Sequence, residues 1–397
     1  MNRLALAGAL LASSAPLAAE THRVDPAQGA AALQEALILA APGDVIELGE
    51  GRFTLTDGIS LDVAGVTVRG QGMDKTILDF TGQQGAGEGL LVTSDNVTLQ
   101  GFAVENPRGD GIKSKGADGI VYSGIRVEWT GGPKASNGAY GIYPVESVGV
   151  LVTNSKVSGA SDAGIYVGQS RDITVAENIV TFNVAGIEIE NSRNALVTNN
   201  IASRNTGGLL VFDLPGLPVM NGGNVILRDN VVKDNDTPNF APPGNIVANV
   251  RRGTGVLVMA NDGVLIENNA FEGNATAHVM VIAYTQGYDD PRYNPYARNV
   301  IIGPNEFGRG GYDPQIDGKE MLLAAFGGAL PPVLWDGIVE DDNGLKIAAG
   351  VTGWSLNLSK PGQSIAEASP GPLDLTPLES WQFPQVGAPA ALEARLK

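Results

Sequence analysis

A glycine followed by an aliphatic residue returns along this chain at nearly constant spacing. Gly89-Leu90, Gly111-Ile112, Gly141-Ile142, Gly164-Ile165, Gly186-Ile187 and Gly208-Leu209 open equivalent segments, at steps of 22, 30, 23, 22 and 22 residues. Gly255-Val256 follows after 47 residues, close to two further turns. A second column runs through Asn154, Asn178, Asn200, Asn230, Asn269 and Asn305. Self-similarity at this period marks a solenoid or a propeller, in which each repeat buries its apolar face only against its neighbours.

The stretches between columns are too short for helices. They are rich in Val and Ile and broken by Gly, Asn, Asp and Ser, so each repeat reads as two or three short strands. A propeller blade needs about 40 residues, and a leucine-rich repeat needs a Leu pattern that is absent. The predicted fold is all-β: a right-handed single-stranded parallel β-helix, the hand following from the near-universal right-handed parallel crossover. Asn tolerates a left-handed bend between sheets, and its amide can bond the Asn one rung on, so the column is expected to be a structural ladder.

The ends differ from the repeat. Arg3, the apolar run 4–11 and the small residues up to Ala19 predict a cleaved signal peptide over 1–19, and with it a periplasmic or secreted protein. No later stretch is apolar enough to cross a membrane. Residues 30–40 carry a helical pattern, predicting a short N-terminal capping helix that shields the open end of the coil. The β-helix is expected over 20–339. Residues 340–397 lose the period and are expected to form an irregular tail or cap.

Absence of Cys removes disulfides and thiolate zinc sites. With 43 acidic against 26 basic side chains, the net charge of −17 excludes nucleic acid as a natural partner. A polyanionic polysaccharide would need a cation or a local basic patch to bind.

Insertions in a solenoid gather on one face and often carry function. Four stand out, at 129–139, 214–223, 235–253 and 284–298. Strand alternation after each column glycine then predicts what the regular rungs present outward. One outward row holds Lys113, Tyr143, Tyr166 and Glu188. Two residues on, the next row holds Lys115, Glu190 and Phe212. The following turns add Glu146, Gln169, Asn191 and Asp213, and the first insertion brings Trp129, Asn137 and Tyr140. An exposed strip of aromatic and polar side chains over several rungs suits a sugar chain.

Glu188 and Glu190, two apart on one strand, have α-carbons about 6.6 Å apart. Three uses of the pair compete. It could be an acid and base for glycosidic hydrolysis. With Asp162 or Asp213 it could hold Ca²⁺, making Asp162, Glu188 and Glu190 candidate metal ligands. It could also be an ordinary solvated face. Alternatively Lys113, Lys115, Tyr143 or Tyr166 could act as the base of a lyase or epimerase on a uronate. His278, alone in an apolar strand, reads as a satisfied structural residue.

The stretch 109–305 and the start LQEAL…APGDVIEL resemble the pectin-lyase-like superfamily of parallel β-helix proteins. GDGIKSKGADG, RVEWTGGPKASNGAYGIYPVES, SDAGIYVGQS, NVAGIEIENS, NTGGLLVFDLPGLP and GTGVLVMAN more specifically resemble a family of exported bacterial parallel β-helix repeat proteins of uncharacterised function. Members are often encoded beside a c-type cytochrome, so the resemblance implies a periplasmic or surface setting. It offers the alternative of a non-enzymatic accessory or scaffold that works with such a cytochrome. The run Tyr140-Gly141-Ile142-Tyr143-Pro144-Val145-Glu146 is partly similar to the Y-G-x-D-P-H-D segment of mannuronan C5-epimerases. Tyr143 and Val145 stand where that segment has its Asp and His, which argues against that mechanism here. The expected function is binding, with cleavage or modification, of an extracellular or envelope polysaccharide, by a lyase or a glycoside hydrolase if the protein is an enzyme.

Overall fold

A computed structural model describes residues 19–396 apart from 86 and 342. The expected signal segment lies outside the described residues, save Ala19. Three sheets of 12, 10 and 12 short strands run the length of the molecule. Sheet 1 runs from Thr21–Val24 to Leu345–Ile347, sheet 2 from Gly51–Thr54 to Glu306–Phe307, and sheet 3 from Ile59–Leu61 to Gly371–Pro372. The chain visits sheets 1, 2 and 3 in turn, and each strand pairs in parallel with its equivalent one rung away. The last pair, Trp354 with Pro372, is the antiparallel one among the described residues. This is the right-handed parallel β-helix that the period predicts.

The glycine column exists because the interior leaves no space for a Cβ. One added to Gly164 would lie 2.7 Å from Asn183 Nδ2 and 2.9 Å from the Gly186 carbonyl. The aliphatic residue that follows fills the core: Ile112, Ile142, Ile165, Ile187, Leu209, Val256 and Val279 are all fully buried on one stacked row. Column glycine and aliphatic residue thus both face inward.

The Asn ladder is present from Asn178 onward. Asn178 Nδ2 donates to Asn200 Oδ1 at 2.9 Å, and the Asn200–Asn230, Asn230–Asn269 and Asn269–Asn305 steps are each 3.0 Å. Asn154 is a correction. It sits one residue early, and Ser155 takes the ladder position, its N–H donating to Asn178 Oδ1. The left-handed bend also belongs to the residue before the ladder Asn, as at Asn154 (φ 52°), Glu177 (φ 61°) and Asn199 (φ 55°). Bending and bonding are therefore done by two adjacent residues, where the sequence suggested one. A second ladder, Asn183–Asn205–Asn235–Asn274, runs along another corner at 3.0, 3.1 and 3.1 Å.

Helix α1 (Gly29–Leu39) caps the first rungs with Leu33 and Leu37 buried. Gln34 fastens it, accepting from the Ser60 N–H at 2.9 Å and donating to the Ser60 carbonyl at 3.0 Å. At the other end, strands Leu345–Ile347 and Gly353–Ser355 continue the coil beyond residue 339. The chain then returns along the outside of sheet 1. Leu378, Trp381, Phe383 and Val386 cover Ile226, Leu265 and Ile301. Further back, Leu392 packs on Val121 and Leu151. Arg395 reaches the Gly119 carbonyl at 2.6 Å and the Asn96 carbonyl at 2.9 Å.

Candidate active site

All four insertions border sheet 3. Those at 129–139 and 235–253 enter its strands, and those at 214–223 and 284–298 leave them. A fifth, at 308–332 with helix α2 (Lys319–Ala325), also enters this sheet and carries no sequence signal of the kind used for the others. The outer face of sheet 3 is consequently covered over much of its length by a second apolar cluster that includes Leu210, Phe212, Leu257, Tyr284, Tyr293 and Trp354.

The strand register builds the two outward rows. Lys113 pairs with Leu91 and Tyr143, Tyr166 with Glu188, and Gly168 with Glu190. Tyr140, Tyr143 and Tyr166 form a triad with ring centroids 4.4 to 5.0 Å apart. The missing side chain of Gly168 is what lets Tyr166 lie down: a Cβ there would lie 2.6 Å from its hydroxyl. So placed, Tyr166 donates to Glu190 Oε1 at 2.6 Å.

Four carboxyl groups gather beside the triad: Asp162, Glu188, Glu190 and Asp213, all buried. The expectation of an exposed strip is thus corrected for its centre. Asp162 Oδ1, Glu188 Oε2 and both oxygens of Asp213 have no hydrogen-bond partner. Burial without partners favours the protonated form. Burial, then the charges of Asp162 and Glu190, push Glu188 well above the usual carboxylate range. Burial raises Glu190 to about 7, although hydrogen bonds from Tyr166 and Glu188 oppose it. Asp162 goes to about 8 through burial and then Glu190, partly offset by the Tyr140 hydroxyl. Burial raises Asp213 to about 6, with the nearby Gly222 and Asn221 amides, outside bonding geometry, opposing.

Asp110 completes the group at its more open end. It accepts from the Tyr140 N–H at 3.2 Å, and burial raises it to about 6 while Lys113 opposes. Sequence reasoning missed Asp110 because it counted outward positions only after the column glycine. Since Gly111 and Ile112 both turn inward, the residue before the glycine faces out again. The pattern D/Y-G-I at Asp110 and Tyr140 is the signal that would have found it.

The remaining predicted residues separate. Lys113 Nζ lies 3.2 Å from Glu88 Oε1 and 4.9 Å over the Tyr143 ring. Lys115 pairs with Glu146 at 3.7 Å on the exposed rim, away from the carboxyl cluster. Burial and the surrounding carboxylates raise Tyr143 to about 12 and Tyr140 and Tyr166 further, so the tyrosines are poor bases. Trp129 does not face the site: it is buried in the main core, its Nε1 donating to the Pro107 carbonyl at 2.8 Å. Asn137 pins its own insertion, donating to the Gly132 and Gly159 carbonyls. Asn191 holds the 214–222 loop through the Leu214 and Val219 carbonyls. Phe212 is consumed by packing. Gln169 sits at a left-handed corner (φ 52°), its N–H bonded to the Glu190 carbonyl.

Glu188 and Glu190 are both buried, and Glu190 Oε1 is taken up by the Tyr166 hydroxyl, so the pair does not stand open on two sides of a glycosidic bond as an acid and base pair would. Among the described residues no group of three or more Asp, Glu or His side chains is arranged to hold a metal ion. The expected ligand set Asp162, Glu188 and Glu190 does not form such a group in this geometry. His278 is satisfied: Nδ1 lies 3.1 Å from Asn274 Nδ2, Nε2 lies 3.2 Å from the Gly308 carbonyl, and the ring stacks with Phe307.

Among the described residues no helix is long and apolar enough to span a membrane. The family model described as "Right handed beta helix region" matches residues 64–214. No curated protein matches the sequence. Among solved structures the chain is similar to the A-module of mannuronan C-5 epimerase AlgE4 from Azotobacter vinelandii (13% identity, TM-score 0.50, covering 80% of this chain and 89% of that one). It is also similar to the catalytic unit of a GH87 α-1,3-glucanase from Streptomyces thermodiastaticus (13% identity, TM-score 0.50, covering 84% of this chain and 53% of that one). Likeness at this identity concerns the fold: by period, topology and family model alike, the chain is a right-handed parallel β-helix protein.

Proposed function

We propose that this protein, exported by its N-terminal segment, binds a polysaccharide on the outer face of sheet 3 and hydrolyses it there. The observation that carries the reading is the gathering of carboxyl groups, with buried unpartnered oxygens, against three tyrosines packed ring to ring. The similar folds named above include a mannuronan epimerase module and an α-1,3-glucanase catalytic unit, which is consistent with this use of the face. Asp162, held protonated by burial, would serve as general acid, and Asp110, at the more open end, as general base. Glu190, held by the Tyr166 hydroxyl, acts as a positioning residue whose charge helps to keep Asp162 in its acid form. Neither lysine is free for a lyase mechanism, and the tyrosines hold their protons, so hydrolysis is favoured over proton abstraction from a uronate. Purified protein incubated with a polysaccharide panel should release reducing ends without unsaturated products, and Asp110→Asn should abolish the release. Unsaturated ends, or unchanged turnover in that variant, would remove the reading.

A further inference from the structure

We infer that the sugar chain this face accepts is uncharged, and that polyuronates are excluded from it. The inference rests on the carbohydrate reading above and names its substrate class.

An acidic sugar needs a cation whose charge is not already matched, and neither lysine of the two outward rows offers one. Lys113 is shared between Glu88 at 3.2 Å and the Tyr143 ring, and it also faces Asp110. Lys115 is matched by Glu146 at 3.7 Å. Behind them Asp110, Asp162, Glu188 and Glu190 form no ion pair with any described Lys or Arg. Arg298 and Arg193 act on Asp213 at the far corner, and Arg298 is itself 3.6 Å from Asp262. Asp110, Glu88 and Glu146 at the open end, in a protein of net charge −17, turn away a second row of carboxylates.

The same groups are well matched to hydroxyls. Phenols and protonated carboxyls donate, ionised carboxylates accept, and the Tyr143 ring presents an apolar face to a pyranose. Recognition of this kind needs no net charge on the ligand and should be nearly indifferent to salt.

Affinity electrophoresis through gels containing neutral glucans of several linkages, or polymannuronate or polygalacturonate, each with and without Ca²⁺, tests the inference. The wild-type protein should be retarded by at least one neutral glucan, equally at low and high salt, and by neither polyuronate. Glu88→Gln, which frees Lys113, should gain several-fold, salt-sensitive retardation by polyuronate. Retardation of the wild type by a polyuronate, reversed by Lys113→Ala or by removing Ca²⁺, would overturn the inference while leaving the carbohydrate reading in place. So would a Glu88→Gln variant that gains nothing. Retardation by no glycan would remove both.

Discussion

Tyr166 and Glu188 are register partners on adjacent rungs of one buried strand face, where burial pushes Glu188 well above the usual carboxylate range. Tyr166 also donates to Glu190 from the preceding rung at 2.6 Å. Two carboxyls and one phenol form a unit whose charge state follows from its burial.

The first prediction concerns stability against pH. Asp162, Glu190 and Asp110 have folded values of about 8, 7 and 6, against ordinary values of 3.8, 4.5 and 3.8. Between those limits the folded chain keeps protons that the unfolded chain has released. Stability therefore falls as pH rises from about 4 to about 8, by up to about 1.4 kcal/mol per unit for each group in transition. Carboxyls held low, such as Asp44 at about 2, act oppositely, and their contribution is lost only as pH falls below about 4. Urea titrations should place the maximum near pH 4 to 5. Asp162→Asn should flatten the alkaline decline. Asp336, raised by burial to about 7 at a separate place, is the control. A decline removed by Asp336→Asn alone would show that the cluster is not its source.

The second prediction is the pH profile of turnover. With Asp110 required ionised and Asp162 required protonated, hydrolysis should be bell-shaped, with limbs near pH 6 and pH 8. Asp162→Asn should lower kcat by roughly 100-fold or more and abolish the alkaline limb. A variant that loses rate but keeps both limbs would assign the acid to another group.

The fold was legible because it repeats: one aliphatic row and one glycine column recur often enough to fix the period without any single residue being decisive. The site was legible only in part. Alternation found Glu188, Glu190, Tyr143 and Tyr166, because those positions follow the column glycine in regular strand. It missed Asp110, since the inward corner at Gly111 and Ile112 breaks alternation. It also took the strip as exposed, because the cover comes from insertions far along the chain, such as Tyr293, whose hydroxyl donates to the Asp213 carbonyl at 2.6 Å. Trp129 misled for the opposite reason. It stands in an insertion, but its ring is buried in the main core and fixed there by its hydrogen bond to the Pro107 carbonyl.

The third prediction tests the Asn ladder. Asn200 receives the amide of Asn178 at 2.9 Å and donates to Asn230 at 3.0 Å and to the Val175 carbonyl at 2.9 Å, fully buried. Asn200→Ala leaves these groups unmatched in the interior, a loss of about 2 to 4 kcal/mol. Asn154→Ala, outside the ladder and at a left-handed bend, should cost less than about 1 kcal/mol, and Asn154→Gly nothing measurable. Equal losses at both positions would mean that the bend, and not the ladder, is what the column supplies.

The fourth prediction concerns the strap that returns along sheet 1. Ile226, Leu265 and Ile301 stack at successive rungs and are buried only because Leu378, Trp381, Phe383 and Val386 lie on them. Trp381 also donates to Glu267 Oε2 at 3.2 Å. Removing residues 378–397 bares an apolar stripe and breaks the isolated Ala348–Leu378 parallel bridge, while the strand pairs of the three sheets stay intact. Far-ultraviolet circular dichroism should therefore keep its β signature while dye binding rises and the melting temperature drops. Trp381→Ala, a milder lesion in a half-buried side chain, should cost about 1 to 3 kcal/mol. Trp381 packs on the strands of sheet 1 and not on those of sheet 3, so glycan binding by the Trp381→Ala protein should match wild type below its melting temperature. Lost binding with an intact fold would mean that the strap and the sheet 3 face are coupled through the core.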